Sequence, residues 1–368
     1  MMNISRYLKK DDKYLELYKT KKGGLKNIGA TCYINTLIQC LASSPYFIRF
    51  ILSNDFQDRL ENNKNNEDNK IYLINELKDI INSLCIKGNS LIPIRFLKTL
   101  KLKFDFIDIN EQNDLHEILL LILNKLNEEI KIHNAKDKFN TKLLDLNLNN
   151  NISDYRKIEI QAHKQWYNLH KNEYSELTEL FYGQSISQII CGNCSYIHHN
   201  HESYNALNLE LPTKVNVKQT TLYDCINMHT KKEIIEKGEW KCDKCNVKEK
   251  SEKIIKYWNF PPNLIICLKR FYYNEKIKRM SKNNLNIDIP FDLDLKQYAI
   301  SKNSNTKYKL NAIGLHLGNI YGGHYVAIVR KNPNNDDEWL MIDDLSINTI
   351  KKKDLNAGHL GYVLFYSI

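Results

Sequence analysis

Residues 23–44 read GGLKNIGATCYINTLIQCLASS. A Gly-rich, polar lead-in gives way at Thr31 to apolar residues at Ile34, Leu37, Ile38 and Leu41, the i, i+3, i+4, i+7 spacing of one helix face. Thr31 suits an N-cap, so a helix is predicted to start at Cys32. The first turn of a helix carries unpaired N–H groups and the positive end of the macrodipole, which favour an anion and lower a thiol pKa. Cys32 is therefore a candidate nucleophile, although a helical cysteine is more usually a core residue, free cysteine being among the most buried residue types. Asn27, five residues earlier, reads either as a turn residue or as an amide donor to an oxyanion.

Outward from this stretch the texture changes once. Up to about Leu126 the apolar spacing stays helical, as at Leu115, Ile118, Leu119 and Ile122. From Gly183 onward come short alternating or apolar runs such as LNLELP, NLIICLKRFYY, HYVAIVR and EWLMIDD, separated by polar turns, which predict strands. Residues 54–70 and 140–154 read as surface loops, too short for interdomain linkers. A chain of 368 residues with 42% apolar content is expected to fold as one catalytic-sized unit of the α+β class over residues 23–368, after an N-terminal extension at 1–22. No classical signal or membrane-spanning run is present, so an intracellular protein, cytoplasmic or nuclear, is expected. The net charge of +10 is spread among Asn and Glu without a basic block, which leaves nucleic-acid binding unindicated.

A nucleophilic cysteine needs a base. Of the eleven histidines, most, including His133, His163, His170 and His359, stand in polar context and are predicted to be solvated. His324 differs: it follows Gly322-Gly323 and opens an alternating strand. A turn centred on Pro333 and Asn334 pairs Asn332 with Asn335 and, counted outward, sets His324 directly opposite Asp343, with Asp344 on the other face. A carboxylate that orients an imidazole completes a Cys-His-Asp arrangement.

Nine cysteines are an odd number, and Cys191/Cys194 and Cys242/Cys245 form two CxxC pairs 47 residues apart. Two such knuckles supply the four sulfurs of a structural zinc site; unrelated buried thiols or a redox pair remain as alternatives. His198, His199 and His201 follow the first knuckle and are taken as loop residues outside the ligand set.

Together these stretches resemble a known family. GGLKNIGATCYINTLIQCL is similar to the cysteine box, and YKLNAIGLHLGNIYGGHYVAIVR with EWLMIDD to the histidine box, of the ubiquitin-specific proteases, a papain-like deubiquitinase family. EQNDLHEILL, LFYGQSISQIICGNC, ALNLELP, KCDKC and FPPNLIICLKRFYYN resemble the intervening blocks in the same order, with the weakest match at 54–100 and 126–160. The resemblance implies a helical thumb, a palm and zinc-bearing β fingers at about 183–260. It implies Cys32 as nucleophile, His324 as base, Asp343 as third triad member, Asn27 at the oxyanion and Asp344 as an acidic neighbour that shares the work. Asp114 and Glu117 read from their i, i+3 spacing as one acidic helical face, on the residues alone a solvated one; by the resemblance they would meet the basic tail of ubiquitin. His316 would stand near the tail, or equally serve as a satisfied structural histidine, and Tyr325 with Gly322-Gly323 would shape a channel for the Gly-Gly terminus, the two glycines reading alternatively as a plain turn. One structural zinc on Cys191, Cys194, Cys242 and Cys245, no catalytic cofactor, ubiquitin and its conjugates as partners, and a monomer without membrane contact complete the expectation. A non-catalytic ubiquitin-binding scaffold and a zinc-dependent nucleic-acid module are the rival classes; the first would lose the triad, and the second leaves the Cys32 and His324 blocks unexplained.

Overall fold

The computed structural model describes residues 22–53, 56, 72–132, 135–146, 152–212, 218–332, 335–355 and 357–368. The extension before residue 22, nearly all of the 54–70 loop, part of the 140–154 loop, His133 and the Pro333-Asn334 turn lie outside the described residues. The first half is helical: α1 Cys32–Leu41, α2 Pro45–Ile51, α3 Leu73–Ile81, α4 Ile94–Lys103, α5 Leu115–Ile130, α6 Thr141–Leu144, α7 Asp154–His170 and α8 Glu176–Phe181.

The strands are β1 Gly183–Ile190, β2 Ile197–Tyr204, β3 Leu207–Glu210, β4 Gln219–Thr221, β5 Glu233–Ile235, β6 Ser251–Asn259, β7 Asn263–Lys269, β8 Phe271–Asn274 and β9 Arg279–Lys282, followed by β10 Asn286–Asp288, β11 Asp292–Asp294, β12 Lys307–Asn319, β13 Gly322–Asn332, β14 Asn335–Asp343, β15 Ser346–Lys351 and β16 Gly361–Ser367. One helix interrupts them, α9 Leu222–His229. The main sheet runs β15-β14-β13-β12-β16-β7-β3, with β11 added beside β12.

Its central strands are buried on both faces, which explains their nearly continuous apolar sequence. Tyr325, Ala327 and Val329 of β13 join the core under the helices, together with Leu340 and Ile342 of β14. The alternate residues Val326, Ile328 and Trp339 join a second core on the far side, covered by α9. A separate sheet, β2-β1-β6-β5, projects the two CxxC knuckles at its end.

Arg270, between β7 and β8, is fully buried. Its guanidinium donates to the carbonyls of Gly361 and Gly358 at 2.6 Å, Asn283 at 2.9 Å and Leu285 at 3.0 Å. Four carbonyls, two from each of two chain segments, accept from one side chain, which arginine alone has the donors and fork geometry to supply.

Candidate active site

α1 lies on the main sheet against β13 and β12. Cys32 is its first residue and is 2% exposed. Burial pushes its thiol pKa up, the backbone N–H of Tyr325 pulls it down, and the charge of Asp344 pushes it up again. Thr31 holds the N-cap position without capping through its side chain. Its hydroxyl donates instead to Asn27 Oδ1 at 3.0 Å, and its backbone N–H does the same at 3.0 Å. Asn27 is thereby oriented with its oxygen toward the helix start and its Nδ2 toward Asp344 Oδ2, 3.1 Å away.

His324 Nε2 lies 2.6 Å from Asp343 Oδ1. The two are not directly opposite, as the turn arithmetic expected. Asn332 pairs with Asn335, but the ladder from Arg330↔Trp339 to Ala327↔Ile342 is displaced by two residues, with the irregularity between Arg330 and Asn332. A displacement of two returns every side chain to its own face, so His324 and Asp343 become diagonal neighbours and still meet. Asp344 follows in a left-handed conformation, φ 52°. Its carboxylate lies on the α1 side, where Asn35 Nδ2 donates to Oδ1 at 2.7 Å. One ring nitrogen of His324 and one carboxylate oxygen each of Asp343 and Asp344 lie within 4.8 Å of one another.

Beside this group is a cavity of about 480 Å³ lined by Gln112, Asp114, Glu117, His316, Gly322 and Tyr325 among others. Asp114 is not on the helical face expected for it. It is the N-cap of α5, and its Oδ1 accepts from the N–H groups of His116 and Glu117 at 2.8 and 3.1 Å while Oδ2 accepts from the Tyr362 hydroxyl at 2.5 Å. Of the two, Glu117 is the exposed one. His316 is 5% exposed, edge-on to Phe271 and Tyr325, and burial with the nearby Lys282 charge lowers its pKa to about 4. Lys282 ties the β8–β9 hairpin to this wall by bonding the carbonyls of His316 at 2.7 Å and Gly318 at 3.0 Å. Gly323 is required by space, since a Cβ would stand 2.3 Å from His316 Nε2; at Gly322 a Cβ would meet nothing within 4 Å.

Two residues here were not among the candidates read from sequence. Gln112 pairs with both backbone groups of Gly323, accepting its N–H at 3.0 Å and donating to its carbonyl. Asn35 holds Asp344; it stands off the Ile34, Leu37, Ile38, Leu41 stripe in a helix buried along its whole length, so the apolar spacing carried no signal for it.

A family model described as ubiquitin carboxyl-terminal hydrolase matches residues 23–366. The chain belongs to the ubiquitin carboxyl-terminal hydrolase family. It is 28% identical to ubiquitin carboxyl-terminal hydrolase 4 of Vanderwaltozyma polyspora, over 93% of this chain and 40% of that protein. It is 27% identical to human ubiquitin carboxyl-terminal hydrolase 2, over 94% of this chain and 55% of that one. The chain thus spans about half the length, or less, of these relatives. A solved SAGA DUB module bound to monoubiquitin superposes with a TM-score of 0.69 at 23% identity, covering 99% of this chain and 74% of that one, which establishes the fold as the family's.

A second cluster is the cysteine set. The sulfurs of Cys191, Cys194, Cys242 and Cys245 all lie within 4.8 Å of one another, with Cys191–Cys245 and Cys194–Cys242 at 3.7 Å. The knuckles are built alike. In each, the residue after the second cysteine, Ser195 or Asn246, takes a positive φ and donates its N–H to the first cysteine's carbonyl, and the first cysteine's N–H bonds to Tyr196 or Val247. Four converging thiols suit one metal ion. The neighbouring histidines are not loop residues: His198, His199 and His201 lie in β2. His198 pairs with Asp243 at 3.1 Å, and His201 is buried. His170, expected in solvent, is buried too, with Nε2 3.1 Å from the Ser203 hydroxyl, because the last turn of α7 packs on β2. Among the described residues no helix is long and apolar enough to cross a membrane.

Proposed function

We propose that this chain is a thiol-dependent deubiquitinase that hydrolyses the isopeptide or peptide bond after the C-terminal glycine of ubiquitin, through a thioester on Cys32. The observation that carries the reading is the 2.6 Å bond between His324 Nε2 and Asp343, on the strand pair that packs against the helix headed by Cys32. With Nε2 committed to a carboxylate, the ring's Nδ1 is left to act on the thiol. His324 takes the Cys32 proton, and the sulfur adds to the carbonyl carbon of the terminal glycine. The oxyanion so formed takes hydrogen bonds from the Asn27 amide and the Cys32 backbone N–H. As the tetrahedral intermediate collapses, the C–N bond breaks and His324 protonates the departing lysine amine. Water, deprotonated by His324, then adds to the thioester, and the carboxylate leaves as the Cys32 sulfur is expelled.

The cavity edged by Gly322 and Glu117 would receive the Gly-Gly terminus, and the monoubiquitin in the matched module supports ubiquitin as the modifier. The four cysteines would hold one zinc ion. Zn–S bonds of about 2.3 Å in a tetrahedron set sulfurs about 3.8 Å apart, close to the 3.7 Å found here. Zinc would supply folding energy to the end of the β2-β1-β6-β5 sheet and lies outside the reaction.

Incubation with ubiquitin bearing a C-terminal vinyl sulfone tests the activity. The expected result is one thioether adduct, mapped to Cys32 by mass spectrometry and abolished by Cys32→Ala. A folded protein that forms no adduct, or forms it elsewhere, overturns the assignment.

A further inference from the structure

Asn35 lies one turn beyond Cys32 on α1 and is 2% exposed. Both bonds of its amide nitrogen leave the helix, one to Asp344 Oδ1 at 2.7 Å and one to the Leu25 carbonyl at 3.2 Å. Its own Oδ1 is buried and has no partner among the described residues. An orphan buried acceptor is destabilising, and an apolar residue at this buried position would avoid it. What asparagine offers in exchange is two donors at one point.

The recipient is tied at both oxygens. Asn35 holds Asp344 Oδ1, and Asn27 Nδ2 bonds Oδ2 at 3.1 Å. Asn27 Oδ1 is in turn fixed by the N–H and hydroxyl of Thr31, each at 3.0 Å. The chain Asn35, Asp344, Asn27, Thr31 therefore closes around the first turn of α1, with Cys32 inside it. It determines which end of the Asn27 amide faces the reaction: a flipped amide would turn its oxygen on the Asp344 carboxylate.

We propose that Asn35 is a positioning residue for acyl transfer, which holds the Asp344 carboxylate so that Asn27 presents an N–H to the oxyanion. The inference rests on the reading of Cys32 as nucleophile and Asn27 as oxyanion donor. Without Asn35 the carboxylate keeps one of its two side-chain donors, and His324, close by, becomes an alternative partner in competition with Asp343. The titratable groups facing this carboxylate are Cys32, His324 and Asp343.

Asn35→Asp is the decisive variant, because it is nearly isosteric and sets a second carboxyl within bonding distance of Asp344. Two such carboxyls share one proton, and the shared O–H stands in for the lost amide donor; once the proton leaves, the pair repels. On a ubiquitin C-terminal amide reporter, kcat of Asn35→Asp is expected to approach the parent's at the acidic end of the active range. It should fall by about tenfold or more at the alkaline end, the scale of a lost positioned donor, with KM changed less than about twofold. Asn35→Ala should lose about tenfold in kcat at every pH, and Asn35→Ser should regain part of it. The Ala and Ser pair decides the question if Asn35→Asp melts below the assay temperature. A constant ratio of Asn35→Asp to parent across the pH range, a loss confined to KM, or equal kcat for the Ala and Ser variants overturns the positioning role alone. A parent inert toward the vinyl sulfone overturns the reading beneath it.

Discussion

Asp343 and Asp344 are adjacent in the chain and serve different neighbours. Asp343 bonds the His324 ring, while Asp344 is spent on the amides of Asn27 and Asn35. Asp343→Ala is therefore expected to lower kcat by roughly 10²-fold or more, the scale of lost acid–base positioning. Asp344→Asn should lower it less and stay folded, since asparagine tolerates the positive φ found there. Steady-state kinetics with circular dichroism checks both, and a larger loss for Asp344→Asn would move the orienting role to Asp344. The pairing of His324 with Asp343 was legible because side chains alternate along strands, and a two-residue displacement leaves that alternation intact. The ties of Asp344 were not. They depend on a left-handed residue at the end of β14 and on partners 309 and 317 positions away, which no local pattern encodes.

At the scale of elements, the N-terminus of α5 divides two carboxylates that the sequence presented as one face. Asp114 caps the helix and Glu117 faces the cavity. Glu117→Lys should raise KM for ubiquitin conjugates severalfold while leaving a short Gly-Gly amide reporter unaffected, because the contact lies away from the reacting bond. Asp114→Ala should instead cost about 1 kcal/mol of stability or more, as a lost N-cap does, visible as a lower Tm. Equal kinetics for Glu117→Lys and parent on both substrates would leave Glu117 as plain surface. The two knuckles were legible because CxxC is a local signature. About one zinc per chain is expected by mass spectrometry, with a lower Tm after chelation or in Cys191→Ala; folded, active, zinc-free protein would contradict it. Helix α9 was missed amid strands, although Thr221 and Asp224 form a capping box whose T-x-x-D spacing is readable. The buried histidines of β2 and α7 were missed because polar neighbours in sequence do not report which face packs on another element.

Across the whole molecule, several bases are buried in the neutral form. His170, His201 and His316 are each pushed down to about 4, chiefly by burial. Their ordinary value is about 6.5. Between about 6.5 and about 4 the unfolded chain binds protons that the folded chain refuses, so stability must fall as pH falls through that window and is fully regained above it. Tm by differential scanning fluorimetry is expected to be flat from about pH 7 to about pH 8 and to drop below about 6.5. Protonation of the knuckle thiols releases metal and can steepen the same limb, so variants must separate the two sources. His201→Leu removes a ring whose two nitrogens are buried without partners among the described residues, and so should raise Tm even at neutral pH as well as flattening the acid limb. Adding His170→Gln, which can still reach the Ser203 hydroxyl, should flatten it further. If the double variant loses Tm with acid as steeply as the parent while its zinc content falls in step, the acid limb belongs to the cysteine ligands and not to the histidines buried between α7 and β2.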